Sequence, residues 1–182
     1  MEHEEIFIHS LDELHQWLQE HHGEQQSYWL CRYKKDKGPS YISYSELVDE
    51  LLCWGWIDSL PGKKDEATTL VRISPRNPKS YWSAVNKKKV THLLSTGRMQ
   101  AAGLEAIEKA KANGAWTFLD DVEALVIPDD LEAALTASPP ALQRFHDASR
   151  SFKRNALEKI KSAKRPETRL KRIEDVVKGF VG

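Results

Sequence analysis

Cysteine is nearly missing from this chain: Cys31 and Cys53 stand far apart and outside any Cys-x-x-Cys spacing. That scarcity excludes a disulfide-stapled domain, and because both thiols lie in apolar stretches they are expected to be reduced and packed. Long apolar runs are missing as well. The longest, Leu51 to Ile57, is about a third of a membrane span, so no transmembrane segment is expected. The opening Met1-Glu2-His3-Glu4-Glu5 is acidic where a secretory signal is basic. A cytoplasmic protein is the expectation. Also absent are a Walker sequence, a Gly-x-Gly-x-x-Gly fingerprint and a Gly-x-Ser-x-Gly elbow. No nucleophile–base pair can be named, so no catalytic residue is assigned and a non-enzymatic protein is expected.

What is present is enough for a hydrophobic core. A chain of 182 residues with 40% hydrophobic and 30% charged residues is not disordered, and its length allows about 70% of the unfolded surface to be buried without metal or disulfide. Net charge is zero, which argues against whole-molecule attraction to nucleic acid. The charges are nonetheless segregated. Residues 61–98 and 143–182 each carry +7, whereas 1–25 carry −7 and 99–142 carry −6. Two readings follow: basic and acidic segments neutralise each other, or the two basic segments form a nucleic-acid contact.

Periodicity organises the chain. Ile6-Phe7-Ile8 reads as a strand, and Ser10 with Glu13 forms a capping box ahead of a helix carrying Leu14, Trp17 and Leu18, stopped by Gly23. Residues 27–34 form an interior strand, Gly38-Pro39 a turn, and Ser43 or Ser45 opens a second helix ending at Gly55. A hairpin is expected from Trp56 to Ile73 with Pro61-Gly62 at its turn, followed by an irregular Ser74-Pro75-Arg76-Asn77-Pro78 segment. Helices are expected at 86–96 and 100–113, then around 129–137, 139–148, 150–164 and 167–179. The resulting fold class is α+β: a small β-sheet with packed helices in residues 1–126, followed by an all-helical unit in 127–182.

The densest chemistry lies between Trp54 and Asn86. A hairpin feeding a proline-constrained loop would hold Arg72, Arg76 and Lys79 at set angles beside Ser80, with Trp56 and Trp82 as aromatic walls and Asp58 and Asn86 nearby. Guanidinium forks take carboxylate or phosphate, and an indole stacks on a flat group or a cation. The ligand-binding expectation is therefore a small anionic ligand or a protein partner at these residues. The alternative is that Asp58 and Asp65 pair with the bases while the tryptophans fill the core. A second basic cluster, Lys164, Arg165, Arg169 and Arg172, lies on amphipathic helices. His15, His21 and His22 precede Gly23 at a helix end, where they suit the helix dipole, and their spacing matches no zinc pattern. No metal and no cofactor is expected.

Several motifs carry a family likeness: Gly55-Trp56-Ile57-Asp58, the run Pro75-Arg76-x-Pro78-Lys79-Ser80-x-Trp82-Ser83, Gly97-Arg98-Met99, Pro128-Asp129-Asp130-Leu131 and Ala163-Lys164-Arg165-Pro166-Glu167-Thr168-Arg169. On these residues the chain resembles the YdeI / OmpD-associated (bacteriocin-protection) family over nearly its full length, including an OmdA-type domain. Ser59 stands where that family carries Gly. The resemblance implies a stress-related bacterial protein linked to tolerance of bacteriocins or cationic peptides, and it assigns no reaction.

Overall fold

The computed structural model describes residues 4–37 and 41–181, so the expected Gly38-Pro39 turn lies outside the described residues. The chain divides into two compact units, Met1–Thr117 and Phe118–Gly182.

In the first unit, β1 (Glu5–Phe7) leads into α1 (Leu11–His21) and then β2 (Tyr28–Tyr33), parallel to β1. The start of α1 is set locally. Ser10 accepts the Glu13 N–H at 3.1 Å, while the Glu13 carboxylate takes the N–H of His9 at 2.6 Å, one residue before the expected box partner. The next helix, α2 (Tyr44–Cys53), is opened by Ser43 in a complete capping box with Glu46. The sheet is completed by β3 (Trp56–Lys63) and β4 (Thr68–Pro75) in the order β1-β2-β4-β3, with antiparallel β2–β4 and β3–β4 pairs.

The hairpin turns later than Pro61-Gly62. Pro61 and Gly62 pair with Val71 and Leu70 inside the ladder, and the register slips between Asp58 and Pro61. A bulge tolerates proline because the ladder is already interrupted there. The reversal falls at Asp65, whose Oδ1 accepts the N–H groups of Ala67 (2.8 Å) and Thr68 (2.7 Å), so an aspartate side chain shapes the turn. Strand β4 also runs through Ser74 and Pro75 before the chain becomes irregular.

Two further helices, α3 (Ala84–Ser95) and α4 (Ala101–Ala112), pack on α2. The approach of α4 is very close: a Cβ at Gly103 would lie 2.3 Å from the Cys53 carbonyl oxygen, and Gly55, with φ +72, faces Ala102 and Ala106. Only glycine accommodates both positions. Leu14, Leu18, Leu30, Leu47, Leu51, Trp56, Ile73 and Leu93 are fully buried in the first core. Each contributes about 1.5–3 kcal/mol of apolar burial.

The second unit is helical throughout: α5 (Asp120–Glu123), α6 (Asp129–Thr136), α7 (Pro139–Asp147), α8 (Arg150–Lys161) and α9 (Pro166–Val181). Helix α9 packs against α6, α7 and α8. Its core gathers Leu131, Leu135, Phe145, Leu157, Ile160 and Ile173, and already includes Leu119 and Val122. The composition shift at Val126–Asp130 therefore falls inside this unit, between α5 and α6. The α+β reading with a following helical unit describes the observed architecture. Among the described residues, no helix is long and apolar enough to cross a membrane.

Candidate functional site

The segment after β4 behaves as a strap. The Arg76 N–H donates to the Gly55 carbonyl at 2.9 Å and the Trp82 N–H to the Ala115 carbonyl at 3.3 Å, anchoring both ends. Between them, Asn77 accepts the Lys79 N–H with its side chain (2.9 Å) and the Ser80 N–H with its carbonyl (2.9 Å), and Asn113 donates to the Pro78 carbonyl at 2.8 Å. The two prolines keep the strap from helix, so its hydrogen bonds are supplied by side chains and by neighbouring loops.

The strap encloses its own guanidinium. Arg76 is only 7% exposed, its Cζ lies 3.7 Å from the Trp82 ring centroid, and Nη2 donates to the Tyr81 carbonyl at 2.8 Å. Nε and Nη1, both buried, have no partner among the described residues. Of five guanidinium donors, the protein satisfies little. Burial pulls Arg76 down from 12.5 to about 10, with the Asp58 carboxylate acting in the opposite sense. That depression corresponds to roughly 3 kcal/mol of charge burial that the surroundings do not offset. Stacking on an indole recovers part of such a cost.

Arg76 lines a cavity of about 460 Å³, within the range that takes small molecules. Strap residues Pro75, Asn77, Pro78 and Trp82 form one side, and Ala101, Ala102, Glu105, Ala106 and Lys109 of α4 form another. Trp54, Gly55, His22, Gly23 and Gln25 complete the lining. Glu105 and Lys109 pair with each other at 2.7 Å and are both exposed. Among the described residues, no group of three or more His, Cys, Asp or Glu side chains is placed to hold a metal ion.

Of the residues expected at the site, the cavity brings together Arg76 and Trp82. Trp56 is a core residue, fully buried against Trp17 and Tyr28, and its indole N–H donates to the His22 carbonyl at 3.2 Å. Asp58 accepts the Tyr44 hydroxyl. Arg72 donates from Nη2 to Ser27 Oγ at 3.1 Å, and its Nε has no partner among the described residues. Lys79 is exposed. Ser80 serves the strap, and Asn86 gives its N–H to Ser83 Oγ in the first turn of α3. Among the described residues, neither arginine forms an ion pair with a carboxylate. Asp65 shapes the hairpin turn.

The basic tail is largely committed to structure. Arg169 grips Asp130 with Nε and Nη2 at 2.6 and 2.8 Å, and its Nη1 reaches the Ile160 carbonyl at 3.2 Å. Arg172 donates to the Lys159 carbonyl and to Ser162 Oγ. Both therefore add donors to the last carbonyls of α8, beside those that Ser162 and Ala163 supply. Lys161 pairs with Asp121 at 2.5 Å. Lys164 and Arg165 are exposed between α8 and α9.

A cluster that the sequence reading did not assemble stands behind Trp54. Glu50, 5% exposed, accepts His15 Nδ1 at 2.7 Å, the Trp54 indole N–H at 3.1 Å and Arg98 Nη2 at 2.9 Å. Glu50 falls on the apolar face defined by Leu47, Leu51 and Trp54, a carboxylate at helical spacing among buried residues, and that was the available signal. His21 and His22 behave as expected of a helix end, meeting the Trp17 and Gln19 carbonyls. Burial, then the nearby Glu50 carboxylate, pushes the Cys53 thiol up to about 12, so it carries no thiolate at neutral pH.

Residues 124–179, under a third of the chain, match the model of the family described as "Bacteriocin-protection, YdeI or OmpD-Associated". The likeness expected over nearly the full length is thus supported for this helical region, while the strap and its signature lie within a separate match over residues 6–106. No curated protein and no solved structure matches the chain. Because the 6–106 match spans more than half of the 182 residues, the chain belongs to the family described as a domain of unknown function, DUF8412.

Proposed function

We propose that this protein is a non-enzymatic binding protein whose first unit takes a small anionic ligand in the cavity beside Arg76. One observation carries the reading: a 93%-buried cation lines that cavity, and its Nε and Nη1, themselves shut off from solvent, have no partner among the described residues. Buried donors left unmatched cost stability unless something else satisfies them, and an anion supplies acceptors and opposite charge together. The similarity of residues 124–179 to the bacteriocin-protection family supports a stress-related role. The unbridged, buried Cys31 and Cys53 support a reducing, cytoplasmic setting.

Contact with nucleic acid through residues 61–98 and 143–182 draws less support, because Arg98, Lys161, Arg169 and Arg172 are engaged internally. If that reading held, log affinity for duplex would fall with log salt by about 0.9 per phosphate contacted.

The anion reading is tested with Arg76→Ala. Thermal denaturation of the wild type is expected to shift upward with acetate, benzoate or inorganic phosphate present, by linkage. The variant should keep its fold and lose the shift. A melting temperature that collapses equally with and without these anions would make Arg76 purely a strap residue.

A further inference from the structure

The cavity holds more than a charge. Its walls combine Trp54 and Trp82 with a flat stripe of Ala101, Ala102 and Ala106 on α4. Trp54 is held in one orientation: its N–H is taken by Glu50, which His15 and Arg98 hold in turn. The His15 and His22 rings lie 5.3 and 5.1 Å from its own. Trp54 belongs to the core and is 8% exposed, so a second ring would meet only the part of the indole that reaches the cavity, and aromatic pairs accept such offset or edge contacts. Fixing it before binding lowers the ordering cost.

The charge balance narrows the anion. Arg76 is the buried cation at the wall, Lys109 is already paired with Glu105, and the remaining charged or titratable lining groups are Glu105 itself and His22. One negative charge matches Arg76. A second would find no further cation among the lining residues, since Lys109 is paired with Glu105.

We propose that the cavity selects a small aromatic monocarboxylate, with Arg76 taking the carboxylate and the ring lying along the alanine stripe of α4 with one edge toward Trp54. This rests on the anion-binding reading and names its ligand class.

The test titrates the full chain with 2-naphthoate, benzoate, acetate and inorganic phosphate, by calorimetry and by quenching of tryptophan fluorescence. The aromatic acids should bind at least about tenfold more tightly than acetate or phosphate. Trp54→Leu should erase that preference while acetate still binds, and Arg76→Gln should weaken all four by about tenfold or more. Equal affinity for benzoate and acetate, or tighter binding of phosphate, overturns the aromatic assignment and leaves the anion site standing. Failure of the wild type to bind any of the four overturns the anion reading itself. The wild-type series needs no variant to fold.

Discussion

The two units differ in how they treat their most enclosed cation. In the second, basic side chains close the structure on itself: Arg154 joins Glu123 and Glu158, Arg169 forks onto Asp130, Lys161 reaches Asp121, and Arg172 caps the end of α8. In the first, Arg98 and Lys89 find the carboxylates of Glu50 and Asp49, yet Arg76 sits more deeply than either with an indole and one carbonyl as its partners. The segregated charges of the sequence therefore have two fates. Where a carboxylate lies within reach, in either unit, neutralisation is local and the cations become structural. Where a cation is enclosed by a strap rich in proline and short of carboxylates, it is left with an indole and one carbonyl, the feature on which the proposed anion site rests.

That contrast can be broken or sharpened by experiment. The largest effect is expected in the first core, where Trp56→Ala removes a fully buried indole and its bond to the His22 carbonyl. The loss should be about 3–5 kcal/mol, read as a lower urea midpoint. A change below about 1 kcal/mol would return Trp56 to the list of ligand-facing residues.

Acid should come next, and it addresses the second unit. The Arg169 fork holds Asp130 below the ordinary carboxylate value, so the folded state binds this proton less readily than the unfolded chain. The pair's stabilisation is then present above about pH 4 and lost as pH falls through the lowered folded value. Both side chains are partly exposed, which limits the contribution to about 1 kcal/mol. Asp130→Asn should be less stable than wild type by that amount at pH 7, and the gap should close near the acid limit. A gap that persists there would mean that Asp130 acts through its helix contacts alone.

A smaller change is expected for Arg76→Met without ligand. Removing an unmatched buried charge stabilises, while losing the Tyr81 carbonyl bond and the Trp82 stacking destabilises, so the net should stay within about 1 kcal/mol. A thermal scan showing a loss above about 3 kcal/mol would align Arg76 with the structural arginines of the second unit. The smallest effect belongs to Tyr44→Phe, at about 0.5 kcal/mol, since Tyr44 is 53% exposed and its bond to Asp58 is wet. Burial, then Asp58, raises this phenol to about 12. The variant should lose a late-titrating tyrosine in an alkaline ultraviolet titration and bind benzoate as wild type does. Altered benzoate binding would bring Asp58 back into the site.

Much of the fold was legible because its signals are local. Ser10, Ser43 and Ser149 start helices as their side chains dictate, Pro139 opens α7, and the spacing of Leu14, Trp17 and Leu18 marks the buried face of α1. The hairpin turn was misplaced because Pro61-Gly62 is equally at home in a bulge, and the choice rests on pairing with Val71 and Leu70 across the strand. The proline-kinked connector and its flanking arginine and tryptophan were legible as well, since Arg76 and Trp82 lie a few residues apart. The α4 wall and the Glu50 cluster were not, because each joins residues distant in the chain.

The sequence alone determined where helices and strands begin, which residues are apolar enough to be buried, and that a rigid basic loop follows β4; all of these follow from neighbours within a few positions. Which arginines keep donors unmatched, and which surface lies opposite Arg76, was decided only in three dimensions. Burial and pairing depend on what distant segments bring to the same point, as when Gly103 lets α4 approach α2 closely enough to stand across from Arg76.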